Sequence, residues 1–363
     1  MSAINVSIHA GLRWLTRSGI QDESGGLARH YSAREHKYEA LSTAATGFFI
    51  SGLVRCAEYP QQSPPKPAIA AGRVLVEKAF HGGAELFISD FDSAENSPRK
   101  WAYFFDCLIA IRALIDLSKA TKDSLYRECA EKCGIGIQRN LSRMDGSFFP
   151  VHDIARDMPY EADEPWSLQA AVHHLKALPI FIELTEASGL YEFKAMGDDL
   201  LKWALNRHES FLEADADSER LMSRLHGYCY FLEGLLPEAG LDPDSSRALQ
   251  FGLLEIENIS QEIGHEYHRC DVVAQLLRLR LYADRLGIME LDYQQAENEA
   301  AAIQQLQIHS ADPKLDGGFA FALKAASPVH YYNPATAVLA IQALQMWEQA
   351  SAGSFREGWE TLI

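Results

Sequence analysis

The stretch Tyr103-Phe104-Phe105-Asp106-Cys107-Leu108-Ile109-Ala110-Ile111-Arg112-Ala113-Leu114-Ile115 decides the fold. Phe104, Leu108, Ile109, Ile111, Leu114 and Ile115 recur at helical spacing, and so little of the run is polar that it reads as a largely buried helix. Leu168–Val172–Leu175–Leu178–Ile182 and Val272–Val273–Leu276–Leu277–Leu279–Leu281 repeat the pattern. Glu183-Leu184-Thr185-Glu186 and Ile303-Gln304-Gln305 are amphipathic instead. The β-branched alternation of strands is scarce. The chain reads as all-α, with short irregular or hairpin insertions.

Working outward, helices are predicted over 5–18, 38–58, 66–79, 100–120, 122–141 and 165–188, then 191–207, 221–238, 244–261, 268–287, 291–307 and 332–350. Pro179 should kink or split the sixth. Gly-aromatic loops fall between many pairs: Gly25-Gly26 before Tyr31, Gly82-Gly83 before Phe87, Asp145-Gly146 before Phe148-Phe149, and Asp316-Gly317-Gly318 before Phe319 and Phe321. With Gly26, Gly83, Gly146, Gly264 and Gly317 as anchors, the intervals are 57, 63, 118 and 53, the long one covering two periods with a hidden anchor near His208–Phe211. Two helices and a turn per period is the signature of an array of helical hairpins. Six hairpins close into an (α/α)6 toroid, one domain over 1–363, with the Gly-aromatic loops on one face. An open solenoid is the alternative, but it ordinarily has shorter repeats and no such loops.

Composition bounds the function. The 363 residues carry a net charge of −17, with 47% hydrophobic and 23% charged residues, which excludes disorder and low complexity. No basic stripe for nucleic acid is present. No apolar run reaches the ~20 residues of a membrane span, and residues 1–11 lack a leader pattern. A cytoplasmic setting is expected. Cys56, Cys107, Cys129, Cys133, Cys229 and Cys270 form no C-x-x-C pair and read as reduced, buried thiols. Neither a metal nor a cofactor is expected, because H-E-x-x-H, the P-loop and G-x-G-x-x-G are all absent. No G-x-S-x-G elbow occurs.

In a toroid, the inner helices begin on one face and point their positive ends into a common funnel. The predicted starts carry Tyr38-Glu39, Phe105-Asp106, Trp166-Ser167-Leu168-Gln169, Arg224-Leu225-His226-Gly227-Tyr228, His268-Arg269-Cys270-Asp271 and Tyr331-Tyr332-Asn333. Carboxylates, aromatic faces, Arg and Asn together suit a carbohydrate. Each residue also has a plainer role, since Asp, Glu and Ser at a helix start are commonly caps or dipole partners, and a lone helix histidine is most often a satisfied core residue. Asp106 stands out because aromatics precede it, so desolvation should raise its pKa toward that of a general acid. The candidate catalytic residues are Asp106, His226, Asp271 and Glu39. The candidate substrate-binding residues are Arg29, Tyr31, Tyr38, Trp166, Arg224, Tyr228, Arg278, Phe319 and Asn333. His173-His174 cannot put both rings on one helix face.

Five blocks resemble an uncharacterised bacterial (α/α)6-toroid family that accompanies surface-polysaccharide biosynthesis genes. They are Trp14-Leu15 … Gly25-Gly26-Leu27-Ala28-Arg29-His30-Tyr31-Ser32 … Tyr38-Glu39 … Thr46-Gly47-Phe48; Phe105-Asp106 with Arg112-Ala113-Leu114; His226-Gly227-Tyr228 … Leu232-Glu233-Gly234-Leu235-Leu236; Asp271-Val272-Val273-Ala274-Gln275 with Arg278; and Asp316-Gly317-Gly318-Phe319 followed by Ala340-Ile341-Gln342-Ala343-Leu344. The resemblance implies the toroid and a glycan context without a settled reaction. This chain departs from it at Leu41–Ala45, where an Ala-rich run replaces a more polar block.

The wider toroid class offers three enzyme readings. Glycoside hydrolysis needs two carboxylates, drawn from Glu39, Asp106 and Asp271. Lysis or epimerisation abstracts a proton beside a carbonyl or carboxylate, with His226 or Tyr228 as base and Arg224 or Arg278 holding the anion. Terpene cyclisation is the weakest: Asp90-Phe91-Asp92-Ser93 lacks the last acid of D-x-D-D, and Asp215-Ala216-Asp217-Ser218-Glu219 is not a magnesium motif. A non-catalytic glycan binder or a scaffold is the remaining alternative, marked by neutral hydrogen-bonders in the funnel or an exposed apolar patch outside it.

Overall fold

Side-chain caps set most helix starts: Ser2, Ser42, Asp123, Asp217, Asp242, Asp292 and Asn333 each accept a backbone N–H from the first turn that follows. A computed structural model describes residues 2–56, 65–91, 100–163, 165–212 and 217–363. Its helices are α1 (Ala3–Arg17), α2 (Thr43–Arg55), α3 (Lys66–Val74), α4 (Phe104–Thr121), α5 (Ser124–Leu141), α6 (Ala177–Ser188), α7 (Tyr191–Leu205), α8 (His208–Phe211), α9 (Ser218–Ala239), α10 (Pro243–Ile263), α11 (Cys270–Arg285), α12 (Tyr293–Gln305) and α13 (Pro334–Ser351).

The inner ring runs α2, α4, α6, α9, α11, α13, each packed on the next, and α13 returns to pack on α2. Outside it lie α3 on α2, α5 on α4, α7 on α6, α10 on α9, α12 on α11 and α1 on α13. A closed ring of hairpins is the (α/α)6 toroid and excludes the open solenoid. The inner helices are buried nearly all round; every residue of α11 from Cys270 to Ala283 is buried. Short antiparallel ribbons stitch one face. Tyr31–Ser32 pairs with both Lys37–Tyr38 and Tyr331–Tyr332, so the first loop closes on the last.

Glycine fixes two of the loops on this face. Gly146 and Gly317 have φ of +84° and +87°, and a Cβ at Gly317 would sit 2.3 Å from the Ala10 carbonyl oxygen of α1. Only glycine allows both the left-handed turn and that approach.

Two predicted helices need correction. Tyr38 and Glu39 belong to the ribbon, and α2 starts only at Thr43, because Ser42 supplies its cap; residues 57–58 of the predicted range lie outside the described residues. The helix predicted over 165–188 is two tight 3-10 turns, Trp166–Leu168 and Val172–Lys176, followed by α6. The break falls just upstream of Pro179, which sits in the first turn of α6, where its missing N–H costs no hydrogen bond. Among the described residues, no helix is long and apolar enough to cross a membrane.

The opposite end of the ring is filled by ion pairs. Arg55 binds Asp116 through two nitrogens at 2.7 and 2.8 Å, and Arg112 donates to Glu183 at 2.6 Å. Lys176 donates to Glu233 at 2.7 Å, and Arg278 pairs with the same carboxylate.

Candidate functional site

The stitched face opens into a funnel of about 550 Å³ lined from all round the ring. The ribbons and loops contribute Arg29, His30, Tyr103, Ser167, Arg269, Phe321 and Tyr331; the inner helices contribute Ser42, Ala44, Ala45 and Phe48, Phe105 and Asp106, His226 and Tyr230, Asp271, and Asn333 with Ala335. His173 of the second 3-10 turn completes the wall. The Ala-rich run at the start of α2 makes that side apolar.

Asp106 is in the first turn of α4, a helix without a side-chain cap, so its carboxyl is not spent on capping. Burial raises its pKa to about 6, with Asp90 adding to the rise and Ser89 and Arg29 opposing it. Arg29 is itself paired with Asp90 at the half-exposed mouth.

Asp271 opens α11, also uncapped. Arg269 grips it with two bonds, Nε to Oδ1 at 2.9 Å and Nη2 to Oδ2 at 2.6 Å, and the Val272 N–H adds a third at 2.9 Å. Although burial opposes it, this grip and nearby His226 hold Asp271 below the usual carboxylate range. The Arg269 guanidinium lies 4.4 Å over the Phe321 ring, which stacks on Tyr331 at 4.4 Å.

His226 is in the third turn of α9, because the Asp217 cap starts that helix one turn earlier than its apolar pattern suggests. Its Nδ1 lies 2.7 Å from the Gln275 carbonyl oxygen and 3.6 Å from Asp271 Oδ2. Both partners only accept, so Nδ1 carries the proton and Nε2 keeps its lone pair. Burial lowers the pKa to about 4 despite the pull of Asp271, so the ring is neutral above that pH. Tyr230 packs against the ring edge at 4.6 Å. His173, on the adjoining wall, is also held neutral by burial and by its histidine neighbours.

Of the residues expected from sequence, the funnel therefore brings together Asp106, His226, Asp271, Arg29 and Asn333, the last also capping α13. Others lie elsewhere. Glu39 faces Lys37 on the ribbon. Tyr31 is buried beside Tyr38, whose hydroxyl donates to the Ser18 carbonyl. Arg224 and Tyr228 stand two residues either side of His226, hence about 200° around the helix; Arg224 donates to the Phe211 carbonyl and the Tyr228 hydroxyl meets His208. Arg278 is at the closed end, and Phe319 is buried in its loop. The Trp166 side chain, Asp92, Ser93, Asp215 and Ala216 lie outside the described residues.

Arg269 and Tyr331, which the sequence places at converging helix starts without singling them out, line the funnel, and so do His173, Tyr230 and Phe321, with Gln275 behind His226; none of the six is among the candidates. A signal existed for some of them. His226, Tyr230 and Glu233 are spaced i, i+4, i+7 on α9, as are Asp271, Gln275 and Arg278 on α11, a polar stripe down each apolar inner helix. Among the described residues, no group of three or more His, Cys, Asp or Glu side chains could hold a metal ion.

No protein-family model matches the chain, and no curated protein matches its sequence. Solved structures do match its fold. Cellobiose 2-epimerase from Bacillus thermoamylovorans B4167 aligns with TM-score 0.71 at 11% identity, over 94% of this chain and 98% of that one. A D-mannose isomerase gives 0.68 at 9% identity, over 96% and 97%. An alpha-amylase from Clostridium perfringens gives 0.63 at 12%, over 93% and 97%. At these identities the likeness establishes the toroid. The proteins sharing it are named for sugar chemistry.

Proposed function

We propose that the chain is a sugar-processing enzyme that moves a proton at a carbon beside a sugar's carbonyl or carboxylate, as an epimerase, isomerase or lyase does. The observation that carries this reading is the largely buried, neutral imidazole of His226, with Nδ1–H held by Gln275 near Asp271 and its Nε2 lone pair free to act on the funnel. Nε2 takes the carbon-bound proton, and the electron pair moves onto the carbonyl oxygen. Asp271 stabilises the imidazolium that forms. The Asp106 carboxyl, protonated below about pH 6, returns a proton to the carbon from another wall, and water exchange resets both groups. Phe105 and Tyr331 line the funnel as aromatic surface for a pyranose ring, and Arg29 offers a cation for an anionic substituent.

Hydrolysis fits less well. Its second carboxylate would have to be Asp271, whose two oxygens are already committed to Arg269, while Glu39 is outside the funnel. The proposed unit is the whole chain, acting as one domain on a glycan-derived sugar. The blocks that resemble the polysaccharide-associated family support that context, and six buried free thiols suit a reducing cytoplasm.

Incubation with aldoses, 2-ketoses, uronates and reducing disaccharides in D2O tests the reaction. Deuterium should enter at the carbon beside the carbonyl or carboxylate, lost in His226→Gln. Glycoside cleavage to a saturated product without exchange would overturn proton transfer in favour of hydrolysis, and neither reaction with any sugar would favour a binding protein.

A further inference from the structure

The base of the funnel is continuous with the ion cluster at the closed end, through the two polar stripes on α9 and α11. Gln275 is fully buried, and its amide has two neighbours. Nε2 donates to Glu233 Oε1 at 3.4 Å, and Oε1 faces His226 Nδ1 at 2.7 Å. An amide presents its donor on one side and its acceptor on the other. Whichever group faces Glu233 therefore dictates what His226 meets.

Glu233 in turn has no freedom to change. Lys176 holds Oε2 at 2.7 Å and Arg278 holds Oε1. The same two cations reach the Ile363 backbone oxygen, at 2.8 Å from Lys176 and 3.4 Å from Arg278. Arg278 also donates to Gln342 at 2.6 Å, and Gln342 accepts the Ile363 N–H at 3.1 Å. Glu233, Lys176 and Arg278 are buried to within about 1% of complete, and Arg278 and Lys176 together hold the carboxylate ionised, although burial lowers the Lys176 ammonium to about 7.

We infer that Gln275 and Glu233 are positioning residues that fix the tautomer of His226, the closed-end cluster locking Glu233 so that the Gln275 carbonyl, and never its amide N–H, meets Nδ1. This rests on the proposed role of His226 as base. A reversed amide would put a donor against Nδ1, move the ring proton to Nε2 and remove the lone pair that the reaction needs. The other charged or titratable groups around the ring are Asp271 and Arg269 at the start of α11, His173 on the 3-10 turn, and Tyr230 on α9. Of these, only Asp271 also approaches Nδ1, and at 3.6 Å it is the weaker contact. The arrangement gives a structural element far from the mouth an indirect hold, through Gln275 and Nδ1, on the reacting nitrogen. It also gives Ile363, whose backbone oxygen meets Lys176 and Arg278, a place in the same network.

Nitrogen NMR of the full chain labelled in histidine, without substrate at pH 7, reads the tautomer directly, with His226 assigned from the His226→Gln spectrum. Wild type should show the Nδ1–H form. Glu233→Met removes the acceptor of the Gln275 NH2 and leaves Arg278, which shares that acceptor, in place, so the Gln275 carbonyl can turn toward the cation and His226 should move toward the Nε2–H form. Gln275→Met, close in volume and leaving Glu233 with Lys176 and Arg278, should give a mixture; it carries the test alone if Glu233→Met fails to fold. With a substrate in hand, kcat should fall about tenfold or more in Glu233→Met with KM nearly unchanged, since a base in the wrong tautomer is inactive however well substrate binds. Retention of the Nδ1–H form in folded Gln275→Met would overturn the inference and leave Asp271 as sole orienter. A tautomer that shifts as expected in a protein that exchanges no sugar proton would uphold the positioning network and sink the catalytic reading instead.

Discussion

Both ends of the inner ring bury ionisable groups, and they resolve the cost of doing so in opposite ways. At the closed end each carboxylate meets a cation within hydrogen-bond reach: Asp116 with Arg55, Glu183 with Arg112, Glu233 with Lys176 and Arg278. Glu183 and Glu233 accordingly stay below the usual carboxylate range even though burial pushes the other way. At the funnel, Asp106 and His226 are less completely buried and have no full counter-charge, so burial wins and favours their neutral forms, at about 6 and about 4. The same desolvation thus builds a clamp where the partner is complete and a proton-transfer site where it is not. Asp271 lies between the two regimes, since its Arg269 partner makes it an orienting anion rather than an acid.

Removing the base should give the largest effect and break the symmetry between the ends. His226→Gln should lower kcat by about 10³-fold, the range for a general base, with the melting temperature nearly unchanged. A variant that keeps its activity would reduce the funnel to a second packing site. Next, Glu233→Ala at the closed end should cost about 3–5 kcal/mol, because it strands Arg278 as a buried charge and removes the partner that opposes burial of Lys176, itself already lowered to about 7; denaturant unfolding measures it, and a cost under 1 kcal/mol would show that water already reaches the cluster. Asp106→Asn should lower kcat by about 10²-fold.

The pH dependence sharpens the contrast further. A plot of kcat/KM should be bell-shaped, falling below about pH 4 as His226 gains its proton and above about pH 6 as Asp106 loses its own. Asp106 has a folded pKa above its unfolded value, so ionising it opposes folding. That penalty is absent below about pH 4 and complete above about pH 6. Asp106→Asn should therefore be more stable than wild type at pH 8, by about 1–3 kcal/mol after allowing for partial exposure at the funnel wall, and equal to it near pH 4. Glu183 and Glu233 at the closed end have the reverse sign. Their lowered pKa values stabilise the fold above the unfolded carboxylate range and lose that contribution as pH falls through the folded values. The smallest effect belongs to the mouth, where Arg29→Ala breaks a half-exposed pair with Asp90 and should change stability by less than about 1 kcal/mol, while raising KM for an anionic sugar more than for a neutral one.

The array of helical hairpins is legible in the sequence, while its closure into a ring rests on α13 packing against α2. Apolar runs such as Phe104–Ile115 and Val272–Leu281 can be satisfied only by burial on every side, and the Gly-aromatic loops near Gly146 and Gly317 recur because the chain must turn left-handed there against an outer helix. The sequence also marked Asp106, His226 and Asp271, since polar residues at the head of an apolar helix are conspicuous. What it could not say was which way each side chain faces. A one-turn error at the start of α9, set by the Asp217 cap, put Arg224 and Tyr228 beside His226, whereas the helical period turns them to the far side. Glu39 leaves the helix for a ribbon in which Tyr31 pairs with Tyr38 on one side and, some 300 residues away in sequence, Tyr332 on the other. Only the tertiary structure decided which carboxylates are neutralised, because Arg269, Arg55 and Lys176 reach their partners by side-chain direction and by contacts across the ring. Periodicity reports that a face is buried. Whether a charge on that face is paired depends on a neighbour that folding alone brings within 3 Å.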